Sequence, residues 1–160
     1  MSFTKYEYEL LNLVREFLSE HIDDLDFYID RTEYGFEGTW FQHSFMRWVL
    51  RRYGHVVESS KNDLELGTEK MDWIIRTMNN MKVQIKSWSG LGVKSYTVDL
   101  KYYDKPTTRP DIFLWIFPKE IFDDIVKVIH DEGFIYEHYI ISQTKKPMVV
   151  MISKRADLAR

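Results

Sequence analysis

Apolar residues recur at intervals of three and four near the start of the chain. Leu10, Leu11, Val14, Phe17 and Leu18 share one side of a helical wheel, which predicts an amphipathic helix over residues 4–20. The acidic stretch HIDDLDFYID reads as a solvated turn that ends this helix, and EYGFEGTW brings two glycines and a break. The helical period returns in FQHSFMRWVLRRYG. Here Phe41, Phe45, Trp48 and Val49 point inward and Gly54 stands as terminator, so a second helix is expected over residues 39–53.

Beyond Gly54 the period shortens. HVVESS reads as a short strand and KNDLELGTEK as a polar connection. MDWIIRT and KVQIKSW are rich in β-branched and aromatic residues and are joined by MNNM, whose asparagines tolerate the positive φ of a tight turn, so they predict a hairpin. SYTVDLKYY alternates, with Tyr96, Val98, Leu100 and Tyr102 on one face, and predicts a half-buried strand. PDIFLWIFP is apolar throughout between two prolines, the pattern of a strand covered on both faces. KEIFDDIVKVIHDEG has helical spacing, an acidic first turn and a terminal Gly133, and FIYEHYII and PMVVMIS complete the chain as strands. The expected class is α/β (α+β), a mixed central β-sheet flanked by helices. One domain is expected over residues 1–160. It divides into an acidic helix and turn (1–37), a core (38–117) and a closing helix with two strands (118–160).

Composition narrows the function classes. A chain of 160 residues with 44% hydrophobic residues supports one ordinary core, and the absence of cysteine excludes disulfides and thiolate metal sites. No apolar run approaches the roughly 20 residues of a membrane span, and the charged N-terminus lacks the apolar stretch of a secretory signal. A cytoplasmic protein with no membrane association is expected. The net charge of −3 conceals a division: residues 1–37 carry three basic and ten acidic side chains, leaving a surplus of positive charge on the rest. Between Arg76 and Arg109, seven basic residues stand against Asp99 and Asp104. The middle of the chain therefore suits a polyanion such as DNA, while the acidic start suits a protein partner. A homodimer is compatible with both.

Gln84 and Lys86 occupy one side of a strand whose other side, Val83 and Ile85, already meets the need for burial. Phosphodiester hydrolysis at neutral pH calls for a divalent cation held by oxygen ligands and for a positive group near the nucleophile or the developing charge. The Asp72 carboxylate, the Gln84 amide oxygen and the Ile85 backbone carbonyl can supply such ligands for Mg²⁺ or Mn²⁺, and Lys86 the positive group. With a turn at Asn79 and Asn80 centred near residue 81, position 86 faces Thr77 or Arg76. Asp72 then lies beyond its partner's end, and strand twist or a bulge must bring it close. Arg47 and Arg51 at i, i+4, with Arg52 adjacent, and Lys94 in the basic stretch are candidates for phosphate contacts. The plain structural alternative is that Asp72 starts a strand and Gln84 and Lys86 form its solvent side.

Other motifs carry less. SGLGVKS has the wrong glycine spacing for a phosphate loop and leads into a strand pattern. His21, His43, His55, His130 and His138 lack the paired spacing of a zinc site. Asp23, Asp24 and Asp26 lack the glycine-centred loop of a calcium site. Aromatics make up 16% of the chain, so most of them must serve the core rather than base stacking.

The stretch from Gly38 to Trp88, with WFQHSFMRWVLRRYGHVVE before MDWII and KVQIKSW, resembles the nuclease core of the PD-(D/E)XK superfamily, and most closely its Mrr-type restriction branch. That resemblance covers about a third of the chain. It implies a magnesium-dependent DNA endonuclease with a four-stranded mixed sheet flanked by helices, in which Asp72 binds metal and Lys86 serves catalysis. Two departures stand out. The helix position where the family carries glutamate falls at Gln42 or His43, with Glu37, Glu58 or Glu69 as candidate replacements, and TEKM stands where glycines usually precede the aspartate. The alternative on the same scaffold is a non-catalytic module that binds nucleic acid or protein.

Overall fold

The computed structural model describes residues 3–31, 38–59, 72–87, 100–101 and 109–158. Helix α1 (Lys5–Glu20) starts at a capping box, in which the Glu7 N–H donates to Thr4 Oγ1 and the Thr4 N–H donates to Glu7 Oε1. Its apolar stripe is the expected one: Leu10, Leu11, Val14, Phe17 and Leu18 are all buried. The acidic stretch after it corrects the expectation of a turn. Residues Ile22–Arg31 form a second helix, α2, whose Leu25 and Ile29 are buried while Asp23 and Asp24 are exposed and the half-buried Asp26 accepts the Lys145 N–H at 2.8 Å. The carboxylates mask an amphipathic pattern, and two of them lie in the first turn, where the helix dipole favours negative charge.

Helix α3 (Gly38–Tyr53) follows the prediction, with Phe41, Phe45 and Val49 buried, Trp48 only half-buried, and Gly54 at φ +73° just past its end. Phe17 is the hub between α1 and α3. Its ring lies 5.5–5.9 Å from those of Trp40, Phe41, Phe45 and Trp48 and stacks on His21 at 4.2 Å.

Six strands form one mixed sheet in the order β1-β2-β3-β4-β6-β5. They are β1 (Val57–Glu58), β2 (Trp73–Ile75), β3 (Met81–Ser87), β4 (Ile112–Pro118), β5 (Phe134–Ile141) and β6 (Met148–Arg155). The pairs β1–β2, β2–β3, β4–β6 and β5–β6 are antiparallel, whereas β3 and β4 run parallel. A parallel pair requires a crossover. Leu100 and Lys101 belong to that connection and are helical, which corrects the strand expected over SYTVDLKYY at these two positions; its other residues lie outside those described. Leu100 is buried with Phe113 and Trp115.

Alternation sorts the strand residues onto two faces. One face carries Trp73, Ile75, Met81, Val83, Ile85, Ile112, Leu114 and Ile152 and is covered by α1 and α3, with Trp73 stacked on Phe45 at 5.0 Å. The other carries Phe113, Trp115, Phe117, Val149 and Met151 and is covered by helix α4 (Phe122–Asp131) through Ile125, Val128 and Ile129. β4 is buried at every position, as an apolar run between two helical layers should be. Gly133, at φ +80°, lets the chain leave α4 and enter β5.

Candidate active site on the β2–β3 hairpin

The hairpin register is set by its turn. A 3-10 turn over Arg76–Met78 follows β2, and Asn79 and Asn80 then take φ of 57° and 55°, which asparagine tolerates better than other side chains with a Cβ. The turn is therefore centred earlier than position 81. Trp73 faces Val83, Ile74 faces Lys82 and Ile75 faces Met81. Continuing that register by one residue sets Asp72 directly opposite Gln84, so no bulge is needed to bring them together.

Asp72 and Gln84 touch. Gln84 Nε2 donates to Asp72 Oδ2 at 2.8 Å, and the Ile85 N–H donates to the same oxygen at 2.8 Å. A carboxylate only accepts, so this contact fixes the amide with its nitrogen toward Asp72 and its oxygen away. Gln84 is buried, and its Oε1 has no hydrogen-bond partner among the described residues. An orphaned carbonyl oxygen inside a protein is costly unless something electropositive meets it.

Lys86, two residues along, lies on the same face as Gln84 and is half-buried beside Trp115 of β4 in the parallel register. Ile85 points the other way, into the core under α1 and α3, so its only contributions here are backbone groups. The floor of the site is thus β3, with Asp72 as one wall. Position 82 completes the polar row, and its N–H donates to Asp111 Oδ2 at 2.8 Å, pinning the start of β4 beside β3.

Not every expected residue converges. The α3 helix packs on the opposite face of the sheet, and its exposed Arg47 and Arg51 open into a groove with His21 and Asp24 rather than toward Asp72. Lys94 lies outside the described residues, as do Glu37 and Glu69. No carboxylate occurs anywhere in α3, where Gln42 is half-buried and His43 exposed. Glu58 faces Ile74 and is held by Arg76, whose Nη2 and Nε lie 2.8 and 3.0 Å from one carboxylate oxygen. Those hydrogen bonds keep the Glu58 carboxyl below its usual range. Among the described residues, no group of three or more histidines and carboxylates is placed to hold a metal.

The oxygens that are present suit a hard cation in kind: one carboxylate, one unpaired amide oxygen and a neighbouring backbone carbonyl. Sequence reasoning missed the ion pair of Lys154 with Glu7 at 2.8 Å, which is buried at both ends. Its partners lie 147 positions apart, and only Lys154 within an apolar strand hinted at it.

No protein-family model matches the chain, and neither a curated protein nor a solved structure matches it. Among the described residues, no helix is long and apolar enough to cross a membrane.

Proposed function

We propose that the chain is a metal-dependent DNA endonuclease of the restriction-endonuclease-like type, with Asp72, Gln84 and Lys86 as its catalytic group. The carrying observation is the Asp72–Gln84 contact, which leaves the buried Gln84 Oε1 without a partner among the described residues, two residues from Lys86 on the same face. The mixed sheet with helices on both faces agrees with that scaffold. Asp72 and the Ile85 carbonyl would hold Mg²⁺, or Mn²⁺ in its place, with Gln84 Oε1 joining them once the amide turns its oxygen toward the carboxylate. Bound there, the ion would polarise a phosphodiester and lower the pKa of a water.

Within this reading the residues have separate tasks. The Ile85 N–H fixes the Asp72 carboxylate, so that it need not reorganise when a substrate arrives. Lys86 supplies a positive charge that orients the attacking water and offsets the charge growing on phosphate. With one carboxylate and one neutral amide, the metal shell is weak until phosphate oxygens complete it. The test is supercoiled plasmid incubated with purified protein, with and without Mg²⁺ or Mn²⁺. Cleavage that requires the metal and vanishes in Asp72→Asn supports the reading.

One observation favours a second reading, a non-catalytic module that binds nucleic acid or protein. Asp72 Oδ2 already accepts two N–H groups, and α3 offers no carboxylate to strengthen a metal shell. On that reading, the protein binds duplex equally well with and without Mg²⁺ and leaves it uncut.

A further inference from the structure

The two edges of the sheet are not alike. β1 closes one edge with two residues, whereas β5 closes the other with eight. The inner side of β5 is spent on β6, in an unbroken register from Phe134 opposite Arg155 to Ile141 opposite Met148. Its outer side has no backbone partner among the described residues. Long edges are usually guarded by a bulge, a proline or lysines, because an open row of N–H and C=O groups pairs with another strand. FIYEHYII has no such guard beyond the single carboxylate of Glu137. Its even-numbered residues lie on the α4 side, where Ile140 is 43% exposed and a groove of about 560 Å³ opens at Val126, Phe134 and Tyr136. Its odd-numbered residues lie on the α1 side, where the Arg15 guanidinium sits 4.2 Å from the centre of the Tyr139 ring. Arg15 and Glu137 are both exposed, and neither has an ion-pair partner among the described residues.

We propose that β5 pairs antiparallel with β5 of a second copy of this chain, about a two-fold axis at His138, so that two sheets join into one. In that register Tyr136 faces the partner's Ile140, Ile135 faces the partner's Ile141 and Glu137 faces the partner's Tyr139. The exposed Ile140 thereby enters the groove beside Tyr136 of the other copy, a cross-strand pair of aromatic and β-branched side chains. Glu137 comes beside the guanidinium that lies over the partner's Tyr139, and the two-fold axis forms that ion pair twice. An axis at Glu137 would instead set two carboxylates against each other. A foreign strand satisfies the open backbone, but a second copy also supplies the isoleucine and the arginine by symmetry. The β2–β3 hairpin lies toward the other edge of the sheet, so the proposal does not rest on the nuclease reading.

Sedimentation equilibrium of the full chain, at concentrations up to about 1 mM, tests it. Wild type is expected to approach twice the 19.4 kDa of one chain as concentration rises, and to stop there because a two-fold pairing closes. Ile140→Lys, Glu137→Arg and Arg15→Glu should each weaken the dimer at least about tenfold, the first by burying an ammonium and the others by setting like charges together. Combining Glu137→Arg with Arg15→Glu should recover most of that loss, because each ion pair returns with its signs exchanged. All three positions are exposed, so the monomer should still fold, and far-UV circular dichroism with urea midpoints at dilute concentration checks this. A chain that stays monomeric throughout the range leaves the edge to a foreign strand and overturns the proposal. A dimer unchanged by Ile140→Lys or by Glu137→Arg, or a charge exchange that recovers nothing, would overturn it as well.

Discussion

Asp72 Oδ2 accepts the side-chain amide of Gln84 at 2.8 Å across the β2–β3 hairpin, and that contact leaves the buried Gln84 Oε1 without a hydrogen-bond partner among the described residues. The pair has a structural consequence apart from any chemistry. Asp72→Ala strands the Ile85 N–H and the Gln84 amide in a partly buried place and should cost about 1–3 kcal/mol in urea unfolding. Asp72→Asn keeps an acceptor and should cost less. Isothermal titration should show Mg²⁺ binding wild type more tightly in the presence of a non-cleavable duplex than alone; equal tight binding in both cases contradicts the shared metal shell.

The buried Glu7–Lys154 pair ties the first turn of α1 to the last strand. Removing one partner leaves a charge without compensation. Lys154→Met alone should therefore destabilise by about 3–5 kcal/mol, and combining it with Glu7→Gln should restore most of that loss. Chemical denaturation of the two single variants and the double variant measures the coupling.

At the hairpin turn, Asn79 sits at φ 57°. Asn79→Gly should change stability by no more than about 0.5 kcal/mol, whereas Asn79→Val should cost about 1–2 kcal/mol, because a branched Cβ crowds the left-handed region. A register slip by one residue would carry Gln84 and Lys86 to the face covered by α1 and α3. Thermal melts of both variants check the first point, and cleavage assays on the folded fraction check the second.

The Glu58–Arg76 pair joins the two-residue β1 to the end of β2. Its folded-state glutamate lies below the ordinary value of 4.5, so its stabilising effect is present above that pH and is lost as pH falls through the depressed value. Both side chains are exposed, which keeps the effect small and salt-sensitive. Urea midpoints of wild type and Arg76→Gln should differ slightly at neutral pH and converge in acid.

Much of this architecture was legible in the spacing of apolar residues. α1, α3, the hairpin, β4 and the closing helix and strands all follow from it, because each buries a face whose period matches its geometry. α2 was hidden because periodicity competes with charge: Ile22, Leu25 and Ile29 keep helical spacing, but three nearby aspartates make the segment read as a turn. Leu100 satisfied an alternating pattern just as well as a helix, and a short pattern cannot separate the two. The site was half legible. Alternation placed Gln84 and Lys86 on one face, but pairing Asp72 with Gln84 depended on where the turn is centred. The two positive-φ asparagines and the 3-10 turn decided that. The relation of α3 to the site was not legible at all, since which face a helix covers is set by the three-dimensional packing of Trp73, Phe41 and Phe45.

The most direct measurement is single-turnover cleavage by Lys86→Ala beside its affinity for the same duplex. Lys86 is not a core position, so folding and binding should be nearly unchanged. Loss of its charge from the transition state should slow cleavage at least about a hundredfold, a barrier increase of roughly 3 kcal/mol. A wild-type protein, free of contaminating nuclease, that cuts no duplex, junction or single strand in Mg²⁺ or Mn²⁺ would contradict the catalytic account, as would a Lys86→Ala variant that cuts at the wild-type rate.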